Sequence, residues 1–275
     1  MEFINSIFSW IIKKRMHQIE LFIKYPYDVQ EELLRKLLSD AKNTEWGKKY
    51  DYRSIKNVEE YKQRVPLQDY ESLKDAIIRI KQGEQNILWH SEIKWFAKSS
   101  GTTNNKSKFI PVSKESLEQC HYKGGKDLLS MYHHNVPTSK IFMGKTLVVG
   151  GSSQINQFSN DSYYGDLSAI ILKNFPSWVE FRRTPSMSIA LMDAWEDKIE
   201  QMAVATAKEN VTNISGVPSW TLILLKKILE ITGERNITDV WPNLELFMHG
   251  GVNFKPYERQ YQSLIPSDKM NYIET

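Results

Sequence analysis

The second half of this chain repeats the order of strand, glycine-rich turn and helix, and this order constrains its fold more than any other feature. Residues 146–149 and 211–215 are predicted to be short strands, and each is followed by a turn rich in Gly and Ser. This order is typical of an α/β fold, in which ligands collect at the carboxyl ends of the strands. We therefore predict an α/β fold with mixed sheets flanked by helices. Its candidate binding turns are residues 99–103, 150–153, 215–219 and 250–251.

The first ninety residues are predicted to be mainly helical. Apolar residues from Ile4 to Ile23 recur at helical intervals and predict a long amphipathic helix that packs on the body of the protein. Because basic residues follow the first part of this stripe, a helix lying on a membrane surface is the alternative. Asp28 and Glu31 have the spacing of a capping box and predict a second helix. Further helices are predicted at 69–81, 166–174, 188–208, 220–231 and 256–264, and loops at 43–57 and 154–165.

The segment Ser99–Lys108 places five hydroxyl side chains, one glycine and two lysines in ten residues, between two short apolar segments. A hydroxyl-rich turn between strands can present backbone N–H and side-chain O–H groups to phosphate oxygens. Gly101 allows close approach of the backbone, and Lys108 can supply positive charge. The segment does not match the Walker-type pattern G-x-x-x-x-G-K-[ST]. It therefore predicts a different nucleotide-binding loop, and a polar hairpin turn without a ligand is the alternative.

Composition and charge argue against several classes of function. The net charge of +3 arises from 36 basic and 33 acidic residues that are interspersed, so the sequence has no basic stripe for nucleic acid. The single cysteine excludes an internal disulfide and fits a reducing compartment. The N-terminal apolar cluster precedes its basic residues, which is the reverse of a secretory signal, and it is too short to span a bilayer. We therefore expect a cytoplasmic protein without nucleic-acid or membrane partners.

The histidines and the cysteine are not predicted to form a site. His121 and His133 are about three helical turns apart, which is too far for one metal ion. Cys120 lies on the apolar stripe of a helix that Ser113 can cap, so we expect a core thiol rather than a nucleophile. No metal site is predicted.

Four segments of the chain, taken in order, resemble the acyl-acid amido synthetases that are named after auxin-responsive promoters. This family belongs to the adenylate-forming superfamily, alongside acyl-CoA synthetases and firefly luciferase. The resemblance covers nearly the whole chain. The four segments are Thr44–Tyr50, Ser99–Thr103 with Lys108 and Pro111, Ile214–Trp220, and His249–Val252.

The resemblance implies that residues 1–275 are part of one large N-terminal domain that binds nucleotide and acyl group. Residues 1–90 are then a helical leader and residues 91–275 the α/β body. The implied reaction has two steps and uses ATP and Mg²⁺. A small carboxylic acid attacks the α-phosphorus of ATP, which releases pyrophosphate and leaves an acyl-adenylate. An amine or amino acid then displaces AMP to give an amide.

The resemblance also implies roles for individual residues, because charge grows on the leaving pyrophosphate and donors aimed at its oxygens stabilise that charge. Lys108 neutralises charge, and its alternative is a solvated lysine at a strand edge. Residues 250–252 can instead be a simple strand-ending turn, and Ser219 can be a helix cap. The implied set is Ser99, Ser100, Gly101, Thr102 and Thr103 for the phosphates, Gly250, Gly251 and Val252 for adenine, and Gly216, Val217 and Pro218 for the acyl group.

Two departures from the family pattern lie in the phosphate loop, and further motifs are expected beyond the chain. The family usually carries Gly where Asn105 stands and often Ser where Thr103 stands; Thr keeps the hydroxyl, and Asn tolerates left-handed backbone angles. The family's Tyr-x-x-Ser-Glu motif, with its main Mg²⁺ ligand, and its C-terminal lid domain are expected beyond residue 275. We therefore expect this chain alone to be inactive. The alternative function is a non-catalytic module that binds a nucleotide or acyl ligand, or an interaction scaffold.

Overall fold

The structure is a computed structural model that describes residues 2–99, 107–150, 155–158 and 160–275, with side chains from residue 10 onward. Short 3-10 turns lie at Ile141–Met143 and Ser177–Arg182, and a π-helical stretch at Ser116–Tyr122 precedes the sixth helix. The helices are α1 Glu2–Lys24, α2 Pro26–Ala41, α3 Glu45–Lys49, α4 Val58–Arg64, α5 Tyr70–Lys81, α6 Lys123–Asn135, α7 Leu167–Lys173, α8 Met187–Ala190, α9 Trp195–Ala207, α10 Pro218–Thr232, α11 Ile237–Val240 and α12 Glu258–Leu264. The strands are β1 Trp95–Lys98, β2 Phe109–Val112, β3 Lys145–Val149, β4 Asn156–Gln157, β5 Tyr163–Gly165, β6 Arg183–Thr184, β7 Val211–Gly216, β8 Leu246–His249 and β9 Asn271–Glu274.

Contacts within the chain divide it into two compact units, and each contains one sheet. The hairpin unit comprises Ile12–His134 and Ile155–Leu167. The parallel-sheet unit comprises Met1–Ile11, Asn135–Gln154 and Ser168–Thr275. The α/β class with mixed sheets and flanking helices is confirmed, and helices α2 to α5 group with the first sheet.

The hairpin unit contains a four-stranded mixed sheet in the order β2-β1-β5-β4. Strand β1 pairs antiparallel with β2 and parallel with β5, and β4 pairs antiparallel with β5. The small core beneath this sheet consists of the buried side chains Ile80, Ile87, Ile93 and Phe96. Phe109 of β2 packs against this core, so both strands of the β1–β2 hairpin are anchored in it.

The parallel-sheet unit contains five strands in the order β6-β3-β7-β8-β9, and every neighbouring pair is parallel. Residues Val211–Ile214 of the central strand β7 are all buried, as expected for a parallel strand covered on both faces. Helix α10 supplies Leu224, Leu225 and Ile228 to the large apolar core against this sheet, and each of these side chains is fully buried.

Several helix boundaries coincide with local capping and turn signals. Asp69 caps α5 in a reciprocal capping box with Ser72, and Gly83 follows that helix with φ +103°. Gly233 ends α10 in the left-handed conformation with φ +73°, the conformation in which glycine commonly terminates a helix. Ser113 accepts a hydrogen bond from the backbone N–H of Ser116 at 3.0 Å and so caps the following helix.

Other expectations for the N-terminal region were wrong or only partly right. Helix α2 begins at Pro26, with no side-chain hydrogen bond at its N-cap, rather than in a capping box at Asp28. Proline fits the first helical turn because its missing N–H has no partner there in any case. The long α1 is confirmed, but near its C-terminus Phe22 and Ile23 are exposed, whereas Ile12 is buried.

The predicted loops and the cysteine also differ from the structure. The loop at 43–57 contains helix α3, and the loop at 154–165 contains strands β4 and β5. Cys120 is exposed rather than part of the core. It lies in the π-helical stretch, where the extra residue per turn moves side chains off the face that a 3.6-residue period assigns to them. No helix within the described ranges combines the length and apolar character that crossing a bilayer requires.

Candidate functional site

The base of the predicted phosphate loop is well defined in the hairpin unit. Lys98 pairs with Phe109 at the end of the ladder, and the backbone N–H of Ser99 donates to the Lys108 carbonyl at 2.9 Å. The Lys108 N–H donates in return to the Ser99 hydroxyl at 3.0 Å. The Ser99 O–H therefore remains available to donate to a phosphate oxygen. Ser100, Gly101, Thr102 and Thr103 lie outside the described residues.

Lys108 lies at the mouth of this loop with its side chain beside an aromatic ring. Its Nζ atom is 5.3 Å from the centroid of Tyr70 on α5, and the Tyr70 hydroxyl accepts a hydrogen bond from the Phe109 N–H at 3.1 Å. A cation–π contact of this kind contributes about 0.5–1 kcal/mol at an exposed site. The contact orients the lysine while leaving its charge available to an anion.

The carboxyl ends of four parallel strands are aligned in the other unit. Val149 of β3 pairs with Gly216 of β7, Gly216 with His249 of β8, and His249 with Glu274 of β9. The turns that follow these strands therefore leave the sheet at one edge. That edge is where α/β sheets bind ligands.

Gly216–Pro218, the segment implied for the acyl group, links β7 to helix α10. A Cβ atom on Gly216 would lie 2.8 Å from both Thr221 Oγ1 and Val149 Cβ, so only glycine fits this position. Val217 is the N-cap of α10 and Pro218 lies in its first turn, while Ser219 is inside the helix. The alternative role of Ser219 as a cap is therefore wrong, because proline at the first helical position moves the start upstream.

Gly250–Val252, the segment implied for adenine, approaches the acyl segment. Gly251 has φ +83°, and a Cβ there would lie 3.3 Å from Val217 Cγ2. A Cβ on Gly250 would lie 2.8 Å from the Thr275 carbonyl oxygen. Val252 is exposed. The structure thus brings two of the predicted binding segments together at one edge of the parallel sheet.

His249 is a residue at this edge to which the sequence assigns no role. It is buried, its ring stacks on Phe254 with centroids 4.2 Å apart, and its Nδ1 atom has no hydrogen-bond partner within the described ranges. Its carbonyl accepts hydrogen bonds from the N–H and the hydroxyl of Thr275, at 2.8 and 3.3 Å. His249 therefore connects the Gly250–Gly251 turn to the end of β9. In the sequence, its position directly before two glycines is the one feature that could have indicated a role at this edge.

Burial lowers the pKa of His249, and the nearby Glu274 carboxylate opposes this only in part. A histidine is half protonated near pH 6.5 in an unfolded chain. Since the folded state resists protonation, the stability contributed by neutral His249 is present above that pH. It is lost as the pH falls through 6.5 towards the lower pKa of the folded state.

We expect His249→Gln to reduce the loss of unfolding free energy between pH 7.5 and pH 5.5, because the variant has no imidazole to protonate. Urea unfolding at several pH values measures this loss. His17→Gln is the control, since His17 is 75% exposed, and it should retain the pH dependence of the unmodified chain. Equal pH dependence in both variants would contradict the argument.

Comparisons with known proteins agree with this architecture. Over 107 residues the chain is 35% identical to "Indole-3-acetic acid-amido synthetase GH3.2" of Arabidopsis thaliana, a match that covers 38% of this chain and 20% of that protein. It is 30% identical over 104 residues to "Jasmonoyl--L-amino acid synthetase JAR4" of Nicotiana attenuata, covering 38% and 18% of the two chains. The matched part is therefore a small fraction of these relatives' length.

A solved structure shares the fold over nearly the whole chain. "AtGH3.15 acyl acid amido synthetase in complex with 2,4-DB" superposes with a TM-score of 0.75 at 16% identity, covering 97% of this chain and 55% of that one. The chain thus spans about half the length of this structural neighbour. The model described as "GH3 family N-terminal domain" matches residues 15–270. This match includes the segments implied for the phosphates, the acyl group and adenine, and the chain accordingly belongs to the GH3 family, within its N-terminal domain.

Proposed function

We propose that this chain is the ATP-binding and acyl-binding part of an enzyme that activates a carboxylic acid as an acyl-adenylate and then transfers the acyl group to an amine or amino acid. The observation that carries the proposal is the match to the family's N-terminal domain over residues 15–270. The relatives named for amido synthesis with indole-3-acetic acid and with jasmonate support the same reaction class. Residues 1–275 then belong to one nucleotide- and acyl-binding domain.

The hairpin loop is assigned to the phosphates of ATP. Ser99 and Lys108 lie at its mouth, with a hydroxyl group that can donate to a phosphate oxygen and a cationic side chain. Ser100–Thr103 supply the remaining N–H and O–H donors. During in-line attack at the α-phosphorus, negative charge grows on the departing pyrophosphate, and fixed donors stabilise it without reorganisation. Mg²⁺, when bound, supplies further neutralisation of the phosphate charge.

The glycine turns are assigned to adenine and to the acyl acid. Gly250 and Gly251 carry no side chains, so a flat base can approach their backbone closely. Gly216–Pro218 lead into the N-terminus of α10, a fifteen-residue helix whose free N–H groups favour a carboxylate. The proximity of Gly251 to Val217 supports a site in which the nucleotide and the acid bind side by side.

Exchange of labelled pyrophosphate into ATP tests the proposal directly. The full-length protein should catalyse exchange when supplied with one or more members of a panel of aryl, indolyl and aliphatic carboxylic acids, because adenylate formation is reversible. Omission of the acid is the control and should abolish exchange. Absence of exchange across the panel, with ATP binding retained, would favour the non-catalytic binding module instead.

A further inference from the structure

A half-open cavity of about 250 Å³ lies in the hairpin unit, among residues that the proposed function does not use. Its walls are mainly apolar and include Trp89 and Pro111 together with Ile80, Ile87 and Ile93. The three isoleucines belong to the buried core of this unit. Core side chains therefore form part of the wall of this cavity.

The cavity is separate from the phosphate loop. It lies near the end of the hairpin where Trp95 pairs with Val112, whereas the loop leaves the opposite end, where Lys98 pairs with Phe109. Strands rise about 3.3 Å per residue, so the two ends of the ladder are about 10 Å apart. A ligand in the cavity thus binds away from the phosphates of ATP.

A carboxylate lies beside this apolar opening. Glu115 follows Ser113, which lines the cavity, and its Oε2 atom accepts hydrogen bonds from Trp89 Nε1 at 3.0 Å and from Ser91 Oγ at 2.7 Å. The Nε2 atom of His90, on the surface, is 3.9 Å from Glu115 Oε1. In the ranges that the structure covers, no lysine or arginine forms an ion pair with this carboxylate.

Glu115 is ionised at neutral pH. Burial raises its pKa, but hydrogen bonds from Ser91, from its own backbone N–H and from Trp89 outweigh burial and lower the pKa to about 2. The donors from Ser91 and Trp89 are neutral groups, so they stabilise the negative charge without cancelling it. A fixed anion hydrogen-bonded to Trp89 in the wall of an apolar cavity is a complement for a ligand that combines an apolar body with a cation.

We propose that this cavity binds a small aromatic or branched aliphatic amine, whose apolar part fills the opening and whose ammonium group pairs with Glu115. The cavity is slightly smaller than the range of about 300–1,000 Å³ typical of ligand pockets, so the ligand is smaller than a drug-sized molecule. The proposal does not depend on the adenylation reaction, because the cavity and Glu115 are complete within the hairpin unit.

The indole N–H of Trp89 is a direct reporter of this site, because it donates to Glu115. In the ¹⁵N-labelled 275-residue chain, this resonance is the one of eight that disappears in Trp89→Phe. Titration with 2-phenylethylamine should shift it saturably. Titration with 2-phenylethanol, which has the same shape without the charge, should give a Kd about tenfold weaker, the effect of losing one charge-assisted contact.

Three variants sharpen the test. Glu115→Gln should remove the preference for the amine over the alcohol, and Ser116→Leu, which fills the cavity, should abolish binding of both. Glu118→Gln is the matched control three residues along the chain, since Glu118 is exposed and 3.7 Å from Lys114, and it should bind as the unmodified chain does. Three results would overturn the proposal: no response of the Trp89 resonance, equal Kd values for amine and alcohol, or an equal loss in Glu118→Gln and Glu115→Gln. The comparison of amine with alcohol in the unmodified chain holds even if a variant fails to fold.

Discussion

Replacing Ser100 and Thr102 together with Ala is expected to lower acid-dependent ATP–pyrophosphate exchange at least about 10³-fold, to below detection. Loss of one preorganised donor to a developing oxyanion costs about 10²–10³ in rate, and this variant removes two. Both residues lie between Ser99 and Lys108, which face each other at the mouth of the loop. The exchange rate of the full-length variant at saturating ATP measures the effect.

Ser107→Ala is the matched control for this double variant, because it removes a hydroxyl from the same polar segment outside the assigned phosphate set. It should retain most of the exchange activity. The unfolding midpoint of the double variant should equal that of the unmodified protein, since Phe96 and Phe109 anchor both strands of the hairpin in the core. Unchanged exchange in the double variant would refute the phosphate role, and an equal loss in Ser107→Ala would show that loop conformation, not donor identity, controls the rate.

Gly47→Ala is expected to destabilise the protein by at least about 3 kcal/mol, the upper part of the range for forced overpacking. Gly47 is buried in the short helix α3, directly after the turn from α2. An added Cβ would overlap the Ala41 carbonyl oxygen and lie 2.9 Å from the Ala41 carbonyl carbon and 3.0 Å from Lys42 Cα. These are backbone atoms, so no side-chain rotation relieves the clash.

The same turn holds a buried cap that Gly47→Ala would disturb. The Thr44 hydroxyl donates to the Ala41 carbonyl at 2.7 Å and accepts from the Gly47 N–H at 2.9 Å. Moving Gly47 away from Ala41 breaks these two hydrogen bonds of the Thr44 hydroxyl and also disrupts the close packing. Urea unfolding of the chain measures the change in unfolding free energy.

Gly124→Ala is the control, because it removes the conformational freedom of a helical glycine without introducing a clash. Gly124 lies in α6, and an added Cβ there would meet nothing within 4 Å beyond the neighbouring backbone of its own helix, so alanine should stabilise the protein by about 0.5–1 kcal/mol. The opposite signs of the two glycine substitutions would show that close approach, and not glycine content, decides their effect. A loss of less than 1 kcal/mol in Gly47→Ala would contradict the packing described for this turn.

Much of the fold was predictable because the signals are local. The cap at Asp69, the left-handed glycines at 83 and 233, and the apolar strands before glycine turns depend on neighbouring residues alone. Predictions failed where the structure depends on contacts between residues distant in sequence or on a change in helix geometry. Cys120 left its predicted face because of a π-helical stretch that the 3.6-residue period does not anticipate.

The candidate site was predictable as segments but not as an arrangement. The sequence identifies Gly216–Pro218 and Gly250–Val252 as turns after strands, and their resemblance to a family assigns them a role. It does not show that Gly251 packs on Val217, nor that the buried His249 joins the second turn to Thr275. Those contacts arise between residues more than twenty positions apart.

The sequence by itself determined the order of elements, the α/β class and the hydroxyl-rich loop between two strands, because periodicity and turn chemistry are properties of short segments. Only the tertiary structure decided which strand ends meet and which side chains they bury. Strand register is set by pairing between distant segments, and a shift of one residue would turn every side chain to the opposite face. The alignment of Val149, Gly216, His249 and Glu274 at one edge is therefore a property of the folded sheet.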